Sequence, residues 1–159
     1  MKKIALPLIC AVFLGAGSVD AEDFGLSDVK GWLDGCIALT VGKRVMTQTM
    51  EYDCLAQAEK YCSVGRSVEF RDSCKNDLTD QLRADIQAVL PLLKPIEEMK
   101  AIYRKRFQER AGKLQNQDRS SCNESISTTE CEFALIGVDW LMTRSLAREI
   151  GLIIVENPN

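Results

Sequence analysis

The chain has 159 residues, 27% of them charged, with a formal net charge of −3 and no histidine. Its hydrophobic share of 46% is that of a folding chain rather than a disordered one. The missing histidine excludes Ser–His and Cys–His nucleophile pairs and histidine-ligated metal centres.

The N-terminus reads as an export signal. Lys2 and Lys3 precede an apolar, small-residue run over 4–17, too short and too glycine-rich to span a bilayer. Val19 and Ala21 then stand at the −3 and −1 positions of a cleavage site. Residues 1–21 are therefore expected to be a cleaved secretory signal peptide, and 22–159 a single helical domain. Cleavage removes Lys2, Lys3 and Asp20, which moves the net charge from −3 to −4. With no later apolar segment of transmembrane length, the mature chain is expected to be periplasmic or secreted and to lack a membrane span.

Cys10 leaves with the signal. Cys36, Cys54, Cys62, Cys74, Cys122 and Cys131 remain. An even number of cysteines in a small exported chain reads as a disulfide framework. Six cysteines allow 15 pairings, and spacing does not choose among them. The local set is expected: Cys36–Cys54, Cys62–Cys74 and Cys122–Cys131, each closing a loop across a helix–helix connection. There is no Cys-x-x-Cys and no zinc-site spacing, so a structural role is favoured over a reactive one.

The periodicity predicts an all-α bundle of about five helices with antiparallel hairpins. Ser27 caps a short first helix with Val29, Trp32, Leu33, Cys36 and Ile37 on one stripe. After a break at Gly42-Lys43-Arg44, a second helix covers about 46–62, with Met46, Met50, Cys54, Ala58 and Cys62 facing inward. Gly65 ends it and Ser67 caps the third, whose stripe runs from Phe70 and Cys74 through Leu78, Leu82 and Ile86 to Leu90. Pro91 and Pro95 interrupt, and Pro95 opens a fourth helix with Ile96, Met99, Ile102, Tyr103, Phe107 and Leu114 inward. The span 116–125 is polar and loop-like. Ser127 and Glu130 spell a capping box for a fifth helix. Its inward residues are expected to be Cys131, Ala134, Leu135, Val138, Leu141, Met142, Leu146 and Ile150. Gly151 stops it, and the apolar tail 152–155 packs back. Trp32, Trp140, Met46 and Met50 are expected to serve the core rather than a ligand cage or a soft metal.

Two charge patterns stand out. Lys100, Arg104, Lys105, Arg106, Arg110 and Lys113 form a basic stretch that reads as a solvated helix face or as an anion-binding one. Asp28, Asp34, Glu51, Asp53, Glu59, Asp72, Asp77, Asp80 and Asp85 spread over the first three helices. These acids read as ordinary solubilising surface charge or, with the basic stretch later in the chain, as an acidic surface that steers a cationic partner. A net acidic chain with few aromatics is not expected to bind nucleic acid. No cofactor and no catalytic residues are expected.

Thr47-Gln48, Met50 and Cys54, with Ala56 and Glu59 beyond, resemble the opening signature of the LprI-type lysozyme-inhibitor family. Asp118-Arg119 before Cys122, and Cys131, Met142-Thr143 and Glu149-Ile150 after it, resemble that family's later segments in the same order. Met50 stands one position off the pattern, Asp118-Arg119 inverts the usual order, and Cys36, Cys62 and Cys74 are additions to it. The resemblance implies an exported helical protein that inhibits a lysozyme-type peptidoglycan hydrolase by surface binding, with no chemistry of its own. The residues by themselves also accommodate an immunity protein or another protein-interaction module, or a carrier of a small ligand or lipid.

Overall fold

The computed structural model describes residues 26–40, 44–116, 122 and 127–153. The expected signal peptide over 1–21, the expected break at Gly42-Lys43, most of the span 116–125 and the tail from 154 onward lie outside the described residues. Those described form an all-α, disulfide-stabilised bundle: α1 Leu26–Ala38, α2 Arg44–Ser63, α3 Val68–Val89, a 3-10 turn Leu90–Leu92, α4 Ala101–Gln115 and α5 Thr128–Glu149.

The disulfides join Cys36 to Cys54, Cys62 to Cys74 and Cys122 to Cys131, the sequence-local set. The first ties α1 to α2 and the second ties α2 to α3. The third clasps the segment before α5 to its first turn. Such bonds indicate an oxidising compartment.

Helix ends follow local chemistry with two exceptions. Gly65 turns the chain at φ 69°, a left-handed conformation that glycine adopts without strain. Ser67 Oγ accepts from the Phe70 N–H at 3.2 Å, and Ser127 Oγ from the Glu130 N–H at 3.2 Å. The first exception is α1, which begins at Leu26, so Ser27 lies inside its first turn. The second is α4, which begins at Ala101 and not at Pro95. The Arg104 guanidinium donates to the carbonyls of Glu97 (2.7 Å) and Met99 (3.1 Å). A helix running from Pro95 would have used those carbonyls for its own ladder. Ile96, Ile102 and Tyr103 are consequently exposed, and α4 buries only Phe107, Ala111 and Leu114.

The inward faces of α2 and α5 also differ from the apolar stripes. In α2, residues spaced by four drift about 40° per step, because a turn holds about 3.6 residues. Met46 therefore points about 160° away from Cys62. It is 62% exposed, and Met50 is exposed too. The buried face instead runs through Thr47, Glu51, Cys54, Leu55, Ala58 and Cys62. On α5 the buried residues include Phe133, Ile136, Gly137, Trp140, Thr143, Leu146 and Arg148, whereas Ala134 and Val138 are exposed. This helix lies between two cores and is covered on more than one side. With α1, α2 and α3 it packs Phe133, Ile136 and Trp140 around Leu33, Leu55, Leu78 and Leu82. With α4 it packs Leu146 and Ala147 against Phe107, Ala111 and Leu114. The backbones of α2 and α5 approach so closely that a Cβ on Gly137 would stand 3.0 Å from Leu55 Cδ2. In the described part of the tail, Ile153 packs on the second core while Leu152 is exposed.

Cys62 and Cys74 are fully buried, and their bond closes the α2–α3 turn. Replacing both with alanine is expected to lower the unfolding free energy by about 3 kcal/mol on the chain-entropy account. Urea denaturation monitored by circular dichroism measures it.

Candidate functional site

One cluster of ionisable groups lies inside the bundle. Glu51, on the buried face of α2, is fully inaccessible. Its Oε1 accepts from Arg144 Nε at 2.8 Å and from Arg148 Nη1 at 2.6 Å. Arg144 and Arg148 lie one turn apart on α5, so both reach the same carboxylate. The Arg144 guanidinium also lies 4.9 Å from the centre of the Trp140 ring, whose Nε1 donates to Asp85 on α3 at 3.0 Å. Glu51, two arginines, a tryptophan and Asp85 thus form one polar path through α2, α5 and α3. A substrate has no access to Glu51 or to the buried Arg148, so the cluster is part of the frame.

This path was missed because the acidic residues read as surface. Four of the nine are engaged within the bundle. Glu51 is buried, Asp85 takes the Trp140 bond, and Asp34 Oδ1 accepts from Gln81 Nε2 at 2.9 Å. Glu59 shares Lys75, itself buried, with Glu130 at 3.4 and 3.5 Å. The signal was the helical register: Glu51 sits four residues from both Thr47 and Leu55, on the same buried face.

The remaining acids do make a face. Glu69, Asp72, Asp77 and Asp80 are all exposed on α3, while the basic residues of that helix, Arg71, Lys75 and Arg83, are half-buried or buried. Only Asp80 of the four has an ion pair among the described residues, with Arg83 at 2.6 Å. Asp53 on α2 is exposed as well.

The six basic residues of the fourth helical segment do not form one stripe. Lys100 stands just before α4, and Arg104 is held by the carbonyls of the preceding turn. Lys105 pairs with Glu109 at 4.0 Å, and Arg110 pairs with Glu149 of α5. Arg106, Arg110 and Lys113 share a shallow depression of about 420 Å³ with Tyr103, but Glu109 and Glu149 line it too. At about 100° per residue the six fan around the helix, leaving only Phe107, Ala111 and Leu114 inward.

Large apolar side chains also reach the surface. Trp32, expected in the core, is 47% exposed, Tyr52 is exposed on α2 with Met46 and Met50, and Val64 is exposed just after that helix. Trp140, in contrast, is buried as expected. Among the described residues no cluster of three or more Cys, Asp or Glu could hold a metal ion, and no helix is long and apolar enough to cross a membrane. No family model matches the chain, and neither the curated proteins nor the solved structures contain a match to it.

Truncating Glu51 would leave two arginines facing each other in a low-dielectric interior. Glu51→Ala is expected to cost about 3–5 kcal/mol of stability. Asp53→Ala, two positions away and exposed, should stay within about 0.5 kcal/mol of the parent. Parallel urea titrations of the oxidised variants separate the two.

Proposed function

We propose that this chain is an exported, disulfide-stapled binding protein that inhibits a lysozyme-type peptidoglycan hydrolase by covering it. The observation that carries the binding reading is the solvent face of α3, where Glu69, Asp72, Asp77 and Asp80 are displayed, Lys75 is buried and the half-buried Arg83 pairs with Asp80. A predominantly acidic surface raises the encounter rate with a cationic partner and favours one orientation. The frame behind it is preorganised: α3 is linked by a disulfide to α2, by Lys75 to Glu59 and Glu130, and by Asp85 to Trp140. Preorganisation reduces the entropy lost on docking.

Support for a lysozyme as partner comes from the sequence resemblance, which spans Thr47 to Glu59 and the segments around Cys122 and Cys131. In that opening signature Thr47 and Cys54 are buried, Glu59 pairs with Lys75, and Gln48 and Met50 are exposed. Half of the signature, Thr47, Cys54 and Glu59, therefore serves the frame. Periplasmic placement follows from the export signal and agrees with the oxidised cysteines.

The test is a titration of the oxidised, exported protein against several lysozyme classes, with cell-wall lysis as readout. Stoichiometric inhibition of at least one class is expected. Asp72→Lys combined with Asp77→Lys is expected to slow association and weaken inhibition about tenfold at low salt, the difference shrinking as salt screens the charges. Full lysis by every class at tens-of-micromolar inhibitor, with helical content intact, would remove lysozymes as the partner.

A further inference from the structure

Helix α1 and the C-terminal end of α2 leave between them a surface cleft of about 470 Å³. That lies within the range of small-ligand sites, roughly 300–1,000 Å³. Its apolar lining comes from Val29, Trp32, Tyr61 and Val64. Val29 belongs to the core and is 4% exposed, while the Trp32 indole beside it is half uncovered. The indole thus leaves apolar surface open against a buried wall, where an apolar group can pack.

The polar side of the cleft carries one sign of charge. Lys60 and Arg66 both line it, and among the described lining residues there is no carboxylate. The Arg66 guanidinium lies 5.0 Å from the Tyr61 ring centre and 4.8 Å from that of Phe70, so stacking holds it at the rim. The Lys60 ammonium, on an exposed side chain, has no ion-pair partner among the described residues. An apolar wall, an open indole and the Lys60 ammonium together define the complementary ligand.

We infer that the α1–α2 cleft binds a small amphipathic anion. An alkyl or aromatic body packs on Trp32, Val29 and Val64, and its single carboxylate, sulfonate or phosphate group pairs with Lys60. The site lies on α1 and α2 and does not depend on the identity of a protein partner steered by α3.

Two probes test it on the oxidised protein: anilinonaphthalene sulfonate, followed by its fluorescence, and monomeric dodecanoate, followed by calorimetry and by quenching of Trp32. Saturable one-to-one binding of both is expected, with dodecanol, the uncharged counterpart, at least about tenfold weaker, since a hydrogen-bonded charge contributes on that scale. Lys60→Glu is expected to weaken both probes by about tenfold or more, and Lys60→Arg to retain them. Trp32→Ala is expected to abolish the quenching. Both positions are exposed, and circular dichroism verifies that each variant is folded. Equal affinity for dodecanoate and dodecanol, indifference to Lys60→Glu, or no saturable binding below about 1 mM would overturn the assignment. Binding to phosphatidylglycerol vesicles without binding of monomeric dodecanoate would also overturn it, in favour of a membrane surface.

Discussion

The carboxylate of Glu51, buried on α2 and bonded by Arg144 and Arg148 of α5, is the constraint on which the remaining structure depends. A buried ion pair contributes little net stability over a well-packed apolar pair, because desolvation offsets the attraction. What it does impose is a strong penalty on every arrangement that separates the partners. Sliding α5 by one residue along α2 would leave three charges without partners in the interior. The same slide would drive a side chain into the place where Gly137 admits Leu55. Charge pairing and close packing therefore select one register for the two helices. The indole of Trp140, against Arg144 and bonded to Asp85, extends that choice to α3.

The disulfides act on a different part of the problem. They fix α1 to α2 and α2 to α3, the short-range connections, whereas the ion cluster fixes α2 to α5 across nearly the whole chain. Helix α4 belongs to neither set. It is held by the smaller second core, by the Arg110–Glu149 pair and by the carbonyls that Arg104 grips. The frame thus has a covalently tied part, which carries the acidic face of α3 and the α1–α2 cleft, and a non-covalently docked part, α4, which carries Arg104, Lys105, Arg106, Arg110 and Lys113.

Several elements were readable from local sequence because their physics is local. Ser67 and Ser127 cap the helices they precede, and Gly65 supplies the left-handed turn, since each effect spans only three or four residues. The stripe from Cys74 through Leu78, Leu82 and Ile86 was legible because α3 presents one buried face. The faces of α2 and α5 were not. An apolar criterion passes over Thr47, Glu51, Thr143 and Arg148, all of them buried, and favours Met46 and Val138, both exposed. The start of α4 was misplaced for a related reason: Arg104 competes for the carbonyls, and nothing in the spacing of Pro95 reveals it.

The sequence by itself determined the helical class, most of the caps and turns, and an even set of six cysteines beyond residue 21. These follow from propensity, periodicity and composition, which act over a few residues. Only the tertiary structure decided which charges are surface and which are frame. Glu51 and Asp53 are chemically alike and two positions apart, yet one is sealed between two arginines and the other meets water. That difference depends on Arg144 and Arg148, more than ninety positions away along the chain. The half-open Trp32 and the cations of its cleft are likewise set by how α1 lies on α2. Burial and pairing are properties of the packed arrangement, and a helical period describes one element at a time.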